Sequence, residues 1–368
     1  MKKPTSAAVL IFRLLSIKGV GPAKIRNFLR IANKRDLDFE TVVADEDQLA
    51  RQLSDSQIGE FYAGKELIEE MVERFENNGI GMIGLTDPNY PDQLERHPRH
   101  APPLLFYRGN PALLEEPSVA FFGTRDSTED AQLLVEDYAL DLARAHFNLA
   151  AGYGKGPDLL VHKAALSSDG TTTIVLAEGI DHFRVKQALS PVWDWQRLLV
   201  ITEFLPKVEM NLNTAMQRDL TLCSLCDGVV VVQPNATGGA ITAAYAGLDM
   251  GLPVFAPVIK HSEGDFSNAR ELVRAGAFQI NERGEELVGG PIITRRLMRV
   301  LGMWTPSEDE DEAVAETAQE AEDEANMGPD RSEDEAPELD EPTDEVLAEF
   351  APDLGIETEG GTGAGDGY

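Results

Sequence analysis

Three glycine-containing turns have the residue types that hold phosphate. In the first, "VAFFGTRDSTED", an apolar run is followed by Gly123, Thr124 and Arg125. Backbone N–H groups at a helix start attract anions, and an arginine beside them can clamp a phosphate through two hydrogen bonds. One glycine stands where a dinucleotide fingerprint has three, so the turn predicts a phosphate site of another kind. Ser127 and Asp130 have capping-box spacing, which predicts the start of the next helix.

The second turn lies in "AAGYGKGPDLLVHKAAL". Gly152, Gly154 and Gly156 alternate around Lys155 there, again between an apolar run and a helical pattern. A Walker loop needs G-x-x-x-x-G-K followed by Ser or Thr, whereas this turn has Gly-Lys-Gly-Pro. ATP hydrolysis is therefore not predicted. A glycine turn that only packs a helix on a strand stays open as the alternative.

The third turn is "QPNATGGAIT", in which Thr237, Gly238 and Gly239 precede a helical pattern. Successive N–H groups at such a start form an anion-binding nest. If the preceding strands are parallel, all three turns lie at the same edge of one sheet. Together with Arg125 and Lys155, they predict a site for several phosphates, either a nucleotide or a nucleic-acid backbone.

The elements that position these turns are predicted from hydrophobic patterning. From about residue 117, Val-, Ile- and Leu-rich runs alternate with amphipathic stretches, which is typical of a parallel sheet covered on both faces. The predicted fold class is α/β, a Rossmann-like, doubly wound, mostly parallel sheet preceded by a small helical domain. Strands are predicted at "SVAFFG", "FNLAAGY", "TTTIVLAEG", "LLVITEF", "DGVVVVQP", "LPVFAPV" and "AFQI".

Charge is unevenly distributed along the chain. The segment after Pro306 has 24 acidic residues and one basic residue, a net −23 of the total −32, so the preceding residues carry only −9. The overall charge therefore does not exclude a nucleic-acid ligand. The acidic segment is predicted to compete with DNA, to recruit a basic partner or only to aid solubility.

The predicted organisation is a helical N-terminal domain (1–80), a connecting segment packed on the core (81–116), the Rossmann-like core (117–290), a short helical linker (291–306) and a disordered acidic tail (307–368).

Cysteine usage and the start of the chain bear on location. Cys223 and Cys226 are the only cysteines, and no histidine near them completes a zinc site, so two buried reduced thiols are predicted. Arg13 and Lys18 interrupt the first apolar run, which favours an amphipathic helix over a signal peptide. No run is long enough to span a bilayer. We therefore expect a cytoplasmic protein with no metal, no cofactor and no membrane partner.

The sequence shows no nucleophile–base group, so no catalytic residue is predicted. His162 lies on a helical pattern among apolar neighbours and is expected to be a core residue. Glu178 and Glu203 close two strands at the predicted ligand edge, and they keep a hydrolase open as an alternative.

A separate nucleic-acid pattern lies in "LLSIKGVGPAKIRNFL". Gly19 and Gly21 have the spacing of a helix-hairpin-helix turn, and Lys24, Arg26 and Arg30 follow on the next helix. The backbone N–H groups of such a turn can bind phosphate. The same hairpin also serves as a packing or protein-contact module, and the sequence does not decide between the two.

From about Gly84 to Ile280 the chain resembles the DNA-processing protein A (DprA, or Smf) family. The matching pieces follow the family's order: "LTDPNYPDQL", "PPLLFYRGN", "FFGTRDST", "AGYGKGPDLLVHKAAL", "TIVLAEGID", "ITEFLP", "TGGAITAAYAGLDMGLPVFAP" and "SNARELVRAGA". The resemblance implies a homodimer without enzymatic activity. It also implies that the protein binds and protects single-stranded DNA and helps to load a RecA-type recombinase.

The resemblance also implies which residues contact the DNA backbone, and Gly152 is included because it begins the second turn. Asn268 matches a motif position that we expect to be structural. Phe122, Tyr153 and Phe183 are the nearest aromatic residues, and we expect them to be core residues rather than stacking surfaces. The predicted DNA-backbone residues are Gly123, Thr124, Arg125, Gly152, Lys155, Arg218, Thr237, Gly238 and Gly239.

Several positions depart from the family's pattern. Lys155 stands where members usually have arginine, and "NTAMQRDLTLC" keeps only Arg218 of the segment F-P-x-R-N-R-I-I-A. The Tyr-Pro pair that follows the third strand is missing, and the acidic tail stands where many members have a winged-helix-like module. These departures concern the DNA contacts more than the fold.

Two other functions stay open. A nucleotide-binding enzyme or sensor, such as a nucleoside-monophosphate phosphoribohydrolase, shares the Gly-Gly-x-x-T helix start found at Gly238–Thr242. The full P-G-G-x-G-T-x-x-E run of that group is lacking. A scaffold that has lost DNA binding and acts through its tail is the third possibility.

Overall fold

A single mixed sheet organises the part of the chain described by the computed structural model, which covers residues 3–258 and 266–280 and Met298. In chain order the strands are β1 (Ile80–Gly84), β2 (Leu104–Gly109), β3 (Ser118–Gly123), β4 (Asn148–Ala151), β5 (Thr172–Val175), β6 (Leu198–Thr202), β7 (Gly228–Val232), β8 (Val254–Pro257) and β9 (Phe278–Ile280). Their order across the sheet is β1-β2-β6-β5-β4-β3-β7-β8-β9. Neighbours from β6 through β9 are parallel, whereas β1 and β2 extend the sheet antiparallel. The predicted fold class is confirmed.

The helices connect and cover these strands. Because the direction of winding reverses at β3, right-handed crossovers place the helices that follow β3 and β4 on one face of the sheet and those that follow β6, β7 and β8 on the other. The helices are α1 (Ser6–Leu15), α2 (Pro22–Arg35), α3 (Phe39–Ala44), α4 (Glu46–Gln52), α5 (Asp55–Ala63), α6 (Lys65–Asn77), α7 (Asp92–Arg96), α8 (Glu129–Arg144), α9 (Pro157–Ser167), α10 (Leu212–Leu225), α11 (Gly239–Asp249) and α12 (Ser267–Arg274).

The topological switch of the sheet lies between β3 and β7. From β3 the chain proceeds outward through β4 and β5 to β6, and α10 then returns it to β7 on the other side of β3. The helices on either side of a switch diverge, which opens a crevice at the carboxyl ends of the strands where ligands bind in such folds. The turns after β3, β4 and β7 meet at this crevice.

The helices that precede the sheet share an apolar core with its antiparallel side. Phe12 of α1 lies with its ring centroid 5.2 Å from that of Phe106 on β2 and 6.0 Å from that of Phe75 on α6. Buried residues of β5 and β6 belong to the same cluster, including Ile174 and Val200. The predicted domain boundaries stay predictions.

The Asp-x-x-Tyr-Pro piece of the connecting segment has a structural role. Asp87 accepts hydrogen bonds from the backbone N–H of Gly84 at 2.8 Å and from the Thr5 hydroxyl at 2.5 Å. The buried Tyr90 hydroxyl donates to the carbonyl of Pro102 at 2.7 Å. These bonds tie the end of β1 to both α1 and the start of β2.

The crossover from β5 to β6 has no α-helix. Two 3₁₀ turns, Ile180–His182 and Ser190–Val192, lie in this segment. Aromatic rings hold it against the sheet: the Phe183 centroid is 5.5 Å from Tyr153 and 5.9 Å from Trp193.

Two of the predicted segments fall largely outside the described residues. These are the helical linker at 291–306, apart from Met298, and the acidic tail at 307–368. Among the helices of the described part, none is long and apolar enough to cross a bilayer.

Candidate nucleic-acid interface

The structure brings the predicted phosphate-binding turns together at one edge of the sheet. β3 lies between β4 and β7, and all three strands run in the same direction. Gly123 ends β3 and pairs with Val232 at the end of β7. Neighbouring strands lie about 4.8 Å apart, so the three turns form a row of ~10 Å. Their roles in binding stay predictions.

In the β3 turn, the Thr124 side chain is hydrogen-bonded within the protein, whereas the Arg125 side chain is exposed. The Thr124 hydroxyl accepts a hydrogen bond from the Asn235 side-chain amide at 2.9 Å, which links the β3 and β7 turns. Arg125 is exposed. The turn is therefore tied to the β7 turn and presents an accessible guanidinium group.

The start of α8 lies one residue beyond the predicted cap. Thr128, rather than Ser127, is the N-cap, and its hydroxyl accepts from the backbone N–H of Ala131. The Gln233 side chain accepts from the backbone N–H of Thr128 at 2.9 Å. Because the β7 turn fixes Thr128 in this way, the capping box predicted from Ser127 and Asp130 is wrong.

The β4 turn depends on the close approach of a side chain to Gly152. A Cβ atom at this position would lie 1.7 Å from Nη1 of Arg218 and 2.6 Å from Oδ2 of Asp158. The same carboxylate oxygen of Asp158 accepts from the backbone N–H of Gly154 at 2.7 Å. Lys155, two residues before the start of α9, is exposed.

Arg218 reaches the edge from α10 and is already engaged there. Its Nη1 donates to the carbonyl of Val175 at the end of β5, at 3.1 Å. Its Nε lies 2.9 Å from Oδ1 of Asp219, and both side chains are largely buried, 14% and 12% exposed. The structure thus places Arg218 with the predicted site residues, but with its charge paired.

The β7 turn leads directly into α11. Thr237, Gly238 and Gly239 are exposed, and Gly238 has φ +124°, a conformation that favours glycine. A Cβ atom on Gly239 would lie 2.6 Å from Oδ2 of Asp219. A carboxylate therefore lies against the helix start that was predicted to take a phosphate. Behind the turn, the Asn268 amide donates to the carbonyl of Pro234 at 3.0 Å, a structural contact.

Lys186 is a cation of this edge that sequence reasoning missed. Its ammonium donates to the carbonyls of Tyr153 and Gly154 in the β4 turn and lies 4.3 Å from the centroid of the Tyr153 ring. Burial lowers the pKa of Lys186, against the opposing effect of Asp158 and Glu178. It comes from the β5–β6 crossover, where no motif marked it.

Two acidic residues of the edge were also missed. Asp158 stands where the family pattern has its aspartate after the glycines, so the resemblance contained a signal for it. Asp219 follows Arg218 in the sequence and had no signal.

His162 is a core residue, as predicted. It is fully buried, and its ring nitrogens lie 2.7 Å from the carbonyl of Gly152 and 2.7 Å from the hydroxyl of Thr172. Burial lowers the pKa of His162 to about 4. The ring thus supports the β4 turn through its hydrogen bond to Gly152.

The expectation that the nearby aromatic residues belong to the core holds in part: Phe122 and Phe183 are buried, whereas Tyr153 is half-buried.

The carboxylates considered for a hydrolase are differently placed. Glu203 accepts from the Gln217 amide and from the Thr221 hydroxyl of α10, both at 2.5 Å. Burial raises the pKa of Glu203 to about 7, although these hydrogen bonds oppose the effect. Glu203 follows β6, and its carboxylate would have to break these two hydrogen bonds to α10 to reach a substrate. Glu178 is half-buried and contributes its carbonyl to a hydrogen bond from Thr202.

Cys223 and Cys226 are free and buried, as predicted. The Cys223 thiol lies 3.4 Å from the carbonyl of Ala243, and burial raises the pKa of both thiols. The Cys223 thiol thus lies against α11.

The N-terminal hairpin presents a different environment. Gln57 of α5 donates to the carbonyl of Lys18 at 3.0 Å and accepts from the ammonium of Lys24 at 3.1 Å. Arg26 donates to the carbonyl of Ala101 at 3.1 Å. Two of the three predicted cations of α2 are thus engaged in packing, whereas Arg30 is exposed.

Comparison with known proteins connects this architecture to a family. The family model described as DNA recombination-mediator protein A matches residues 81–288, more than half of the chain. The chain belongs to this family. The match covers the connecting segment, all three turns and Arg218, so the site described above lies within the family's common region.

Individual relatives agree with this membership. The chain is 30% identical over 179 residues to the DNA processing protein DprA of Streptococcus pneumoniae, a match covering 48% of this chain and 63% of that protein. It is 24% identical over 212 residues to DprA of Bacillus subtilis, covering 57% and 70% of the two chains. The match to the pneumococcal relative thus spans less than two thirds of that protein's length.

A solved structure shares the fold. The X-ray structure of DprA from Streptococcus pneumoniae aligns with a TM-score of 0.61 and 24% identity, over 76% of this chain and 95% of that one.

Proposed function

We propose that this family member binds single-stranded DNA through its sugar–phosphate backbone at the carboxyl edge of the sheet, and that it mediates recombination by helping to load a RecA-type recombinase. The observation that carries the proposal is the row of turns after β4, β3 and β7, with exposed Arg125 and Lys155 beside them. Family membership supports the recombination role.

The geometry favours an extended ligand over a single phosphate. The row of turns extends over ~10 Å, and two of its cations come from different turns. Backbone N–H groups and cationic side chains bind phosphates without reading bases. Binding is therefore expected to tolerate any sequence and to weaken steeply with salt.

Protection of the strand, recombinase loading and a homodimer belong to the same proposal. They are supported by family membership and by the resemblance of the ordered motifs. A cytoplasmic location fits this role.

Fluorescence anisotropy with a labelled thymidine oligonucleotide of about 20 nucleotides tests the binding step. We expect tighter binding to single-stranded than to double-stranded DNA. We also expect Arg125→Ala to lower the affinity roughly tenfold, because it removes a charge-assisted phosphate contact. Arg144→Ala is the matched control, since Arg144 is an exposed arginine at the opposite end of α8. Undetectable binding, or equal binding by the two variants, would contradict the proposal.

Strand exchange tests the mediator step. The full chain is added to DNA covered with single-strand-binding protein together with the RecA-type recombinase of the same organism. We expect an increased exchange rate that Arg125→Ala abolishes; an unchanged exchange rate would contradict loading.

Incubation with AMP tests the phosphoribohydrolase alternative, which requires release of adenine and the loss of that release in Glu178→Ala or Glu203→Ala.

A further inference from the structure

Asp219 lies inside the proposed phosphate site and has no place in the binding scheme above. Asp219 as a whole residue is 9% exposed, so its carboxylate is shielded from solvent. Oδ1 lies 2.9 Å from Nε of Arg218, and Oδ2 is 2.6 Å from the point that a Cβ atom on Gly239 would occupy. One carboxylate therefore contacts both the cation of α10 and the first residue of α11.

These two neighbours are the groups that a DNA phosphate would need. The start of α11 carries unsatisfied N–H groups and the positive end of the helix dipole. Arg218 reaches over the β4 turn, with Nη1 bonded to the carbonyl of Val175 and close above Gly152. A phosphate that enters between the β4 and β7 turns meets Asp219 at the same place.

The charges around Asp219 come from several elements. Arg218 precedes it on α10, and the charges of Arg125 in the β3 turn and Asp158 on α9 also act on its pKa. Cys223, one turn later on α10, is a further titratable neighbour. Burial raises the pKa of Asp219 to about 6, although Arg218 opposes this effect.

We propose that Asp219 is an internal competitor of the DNA phosphate, which pairs with Arg218 and covers the start of α11 when it is ionised, and releases both when it is neutral. Asp219 thus weakens DNA binding at neutral and alkaline pH. The proposal rests on the proposed function, because it assigns a role within the same site.

A pH dependence of DNA affinity follows. Below about pH 6 the carboxyl group is neutral, so Arg218 is available and the repulsion of the phosphate disappears. Affinity should rise several-fold as the pH is lowered from about 8 to about 5.5 and should be constant above about 7.5. Glu203 also titrates in this range, with a pKa of about 7. Its carboxylate accepts hydrogen bonds from Gln217 and Thr221 of α10 instead of pairing with Arg218.

The test compares Asp219→Asn with Asp249→Asn. Asp249 is exposed at the far end of α11, so the control removes the same charge at a distance from the helix start that Asp219 contacts. Anisotropy with the thymidine oligonucleotide is measured at constant ionic strength from about pH 5.5 to about pH 8. At pH 8 we expect Asp219→Asn to bind about tenfold more tightly than the wild type and to lose the pH dependence. Asp249→Asn should change the affinity less than twofold and keep the pH dependence.

Two further variants keep the test decisive. Asp219→Ser removes the same charge with a smaller side chain. If the loss of charge causes the gain, both variants should bind DNA more tightly than the wild type, however each side chain packs. In an Arg218→Gln background, Asp219→Asn should give a much smaller gain, because there is no guanidinium to release. Thermal melts of each variant exclude unfolding as the cause of a change.

The outcomes separate this inference from the proposed function. If the wild type binds no DNA at any pH, the proposed function fails. If the wild type binds and the Asp219 variants match it in affinity and pH profile, the competitor role is overturned while DNA binding stands. A gain of equal size in Asp249→Asn would also overturn it, because the effect would then be one of net charge.

Discussion

The N-terminal hairpin and the carboxyl edge of the sheet both combine glycine turns with basic residues, yet the fold uses their cations differently. In the hairpin, Gln57 binds Lys24 and the turn carbonyl of Lys18, and Arg26 binds the carbonyl of Ala101. At the sheet edge, Arg125 and Lys155 are exposed. Lys24 and Arg26 use some of their N–H donors in these protein contacts, so we expect phosphate to bind more readily at the sheet edge than at the hairpin.

The difference also concerns what surrounds the glycines. In the described part of the chain, no atom beyond its chain neighbours lies within 4 Å of a Cβ atom built on Gly21, whereas one built on Gly152 overlaps the guanidinium of Arg218. Gly21 is the N-cap of α2 with an extended backbone that any residue can adopt, whereas Gly152 makes room for a charged side chain.

The largest expected effect comes from Gly152→Ala. The added methyl group must displace Arg218 or Asp158, so we expect ~2 kcal/mol lower stability and roughly tenfold weaker DNA binding. Gly21→Ala is the matched change in the hairpin and should alter affinity less than twofold. Denaturant melts and anisotropy measure both. Equal losses in the two variants would remove the distinction between the regions.

A smaller effect is expected from Lys186→Met. This change removes a cation held against the carbonyls of Tyr153 and Gly154, and it should lower the affinity three- to fivefold and the salt slope by ~0.7 if Lys186 contacts one phosphate. Lys24→Met, in the hairpin, should leave both quantities unchanged. A larger loss from Lys24→Met would show that the hairpin is the main DNA contact.

The smallest effect concerns stability and pH. Burial raises the pKa of Glu203 to about 7, so the neutral form stabilises the fold. This stability is fully present below the unfolded pKa of ~4.3 and is lost as the pH rises through 7. Arg26 lowers the pKa of Glu203, so Arg26→Gln should steepen the loss, whereas Glu203→Gln should remove it.

Denaturant melts at about pH 5 and pH 8 measure this slope, and anisotropy checks that Arg26→Gln binds DNA like the wild type. Weaker DNA binding by Arg26→Gln would contradict a purely structural role for this hairpin cation.

Much of the fold could be predicted because it depends on local patterns. The apolar runs before Gly123, Gly152 and Gln233 form β3, β4 and β7, and their parallel order places the turns at one edge. The shift of the α8 cap to Thr128 could not be predicted, because Gln233 makes the deciding contact from 105 residues away. The β5–β6 crossover without an α-helix likewise depends on rings that meet only after folding.

The α/β class, the three turns, the buried thiols and the family follow from the sequence, because hydrophobic periodicity and ordered motifs are properties of neighbouring residues. Which charges are accessible depends on the tertiary structure. Lys186 and Asp219 reach the edge from other segments, and Arg26 is turned into the protein, because pairing depends on distances across the fold. The site is therefore more acidic and more internally paired than its motifs indicate.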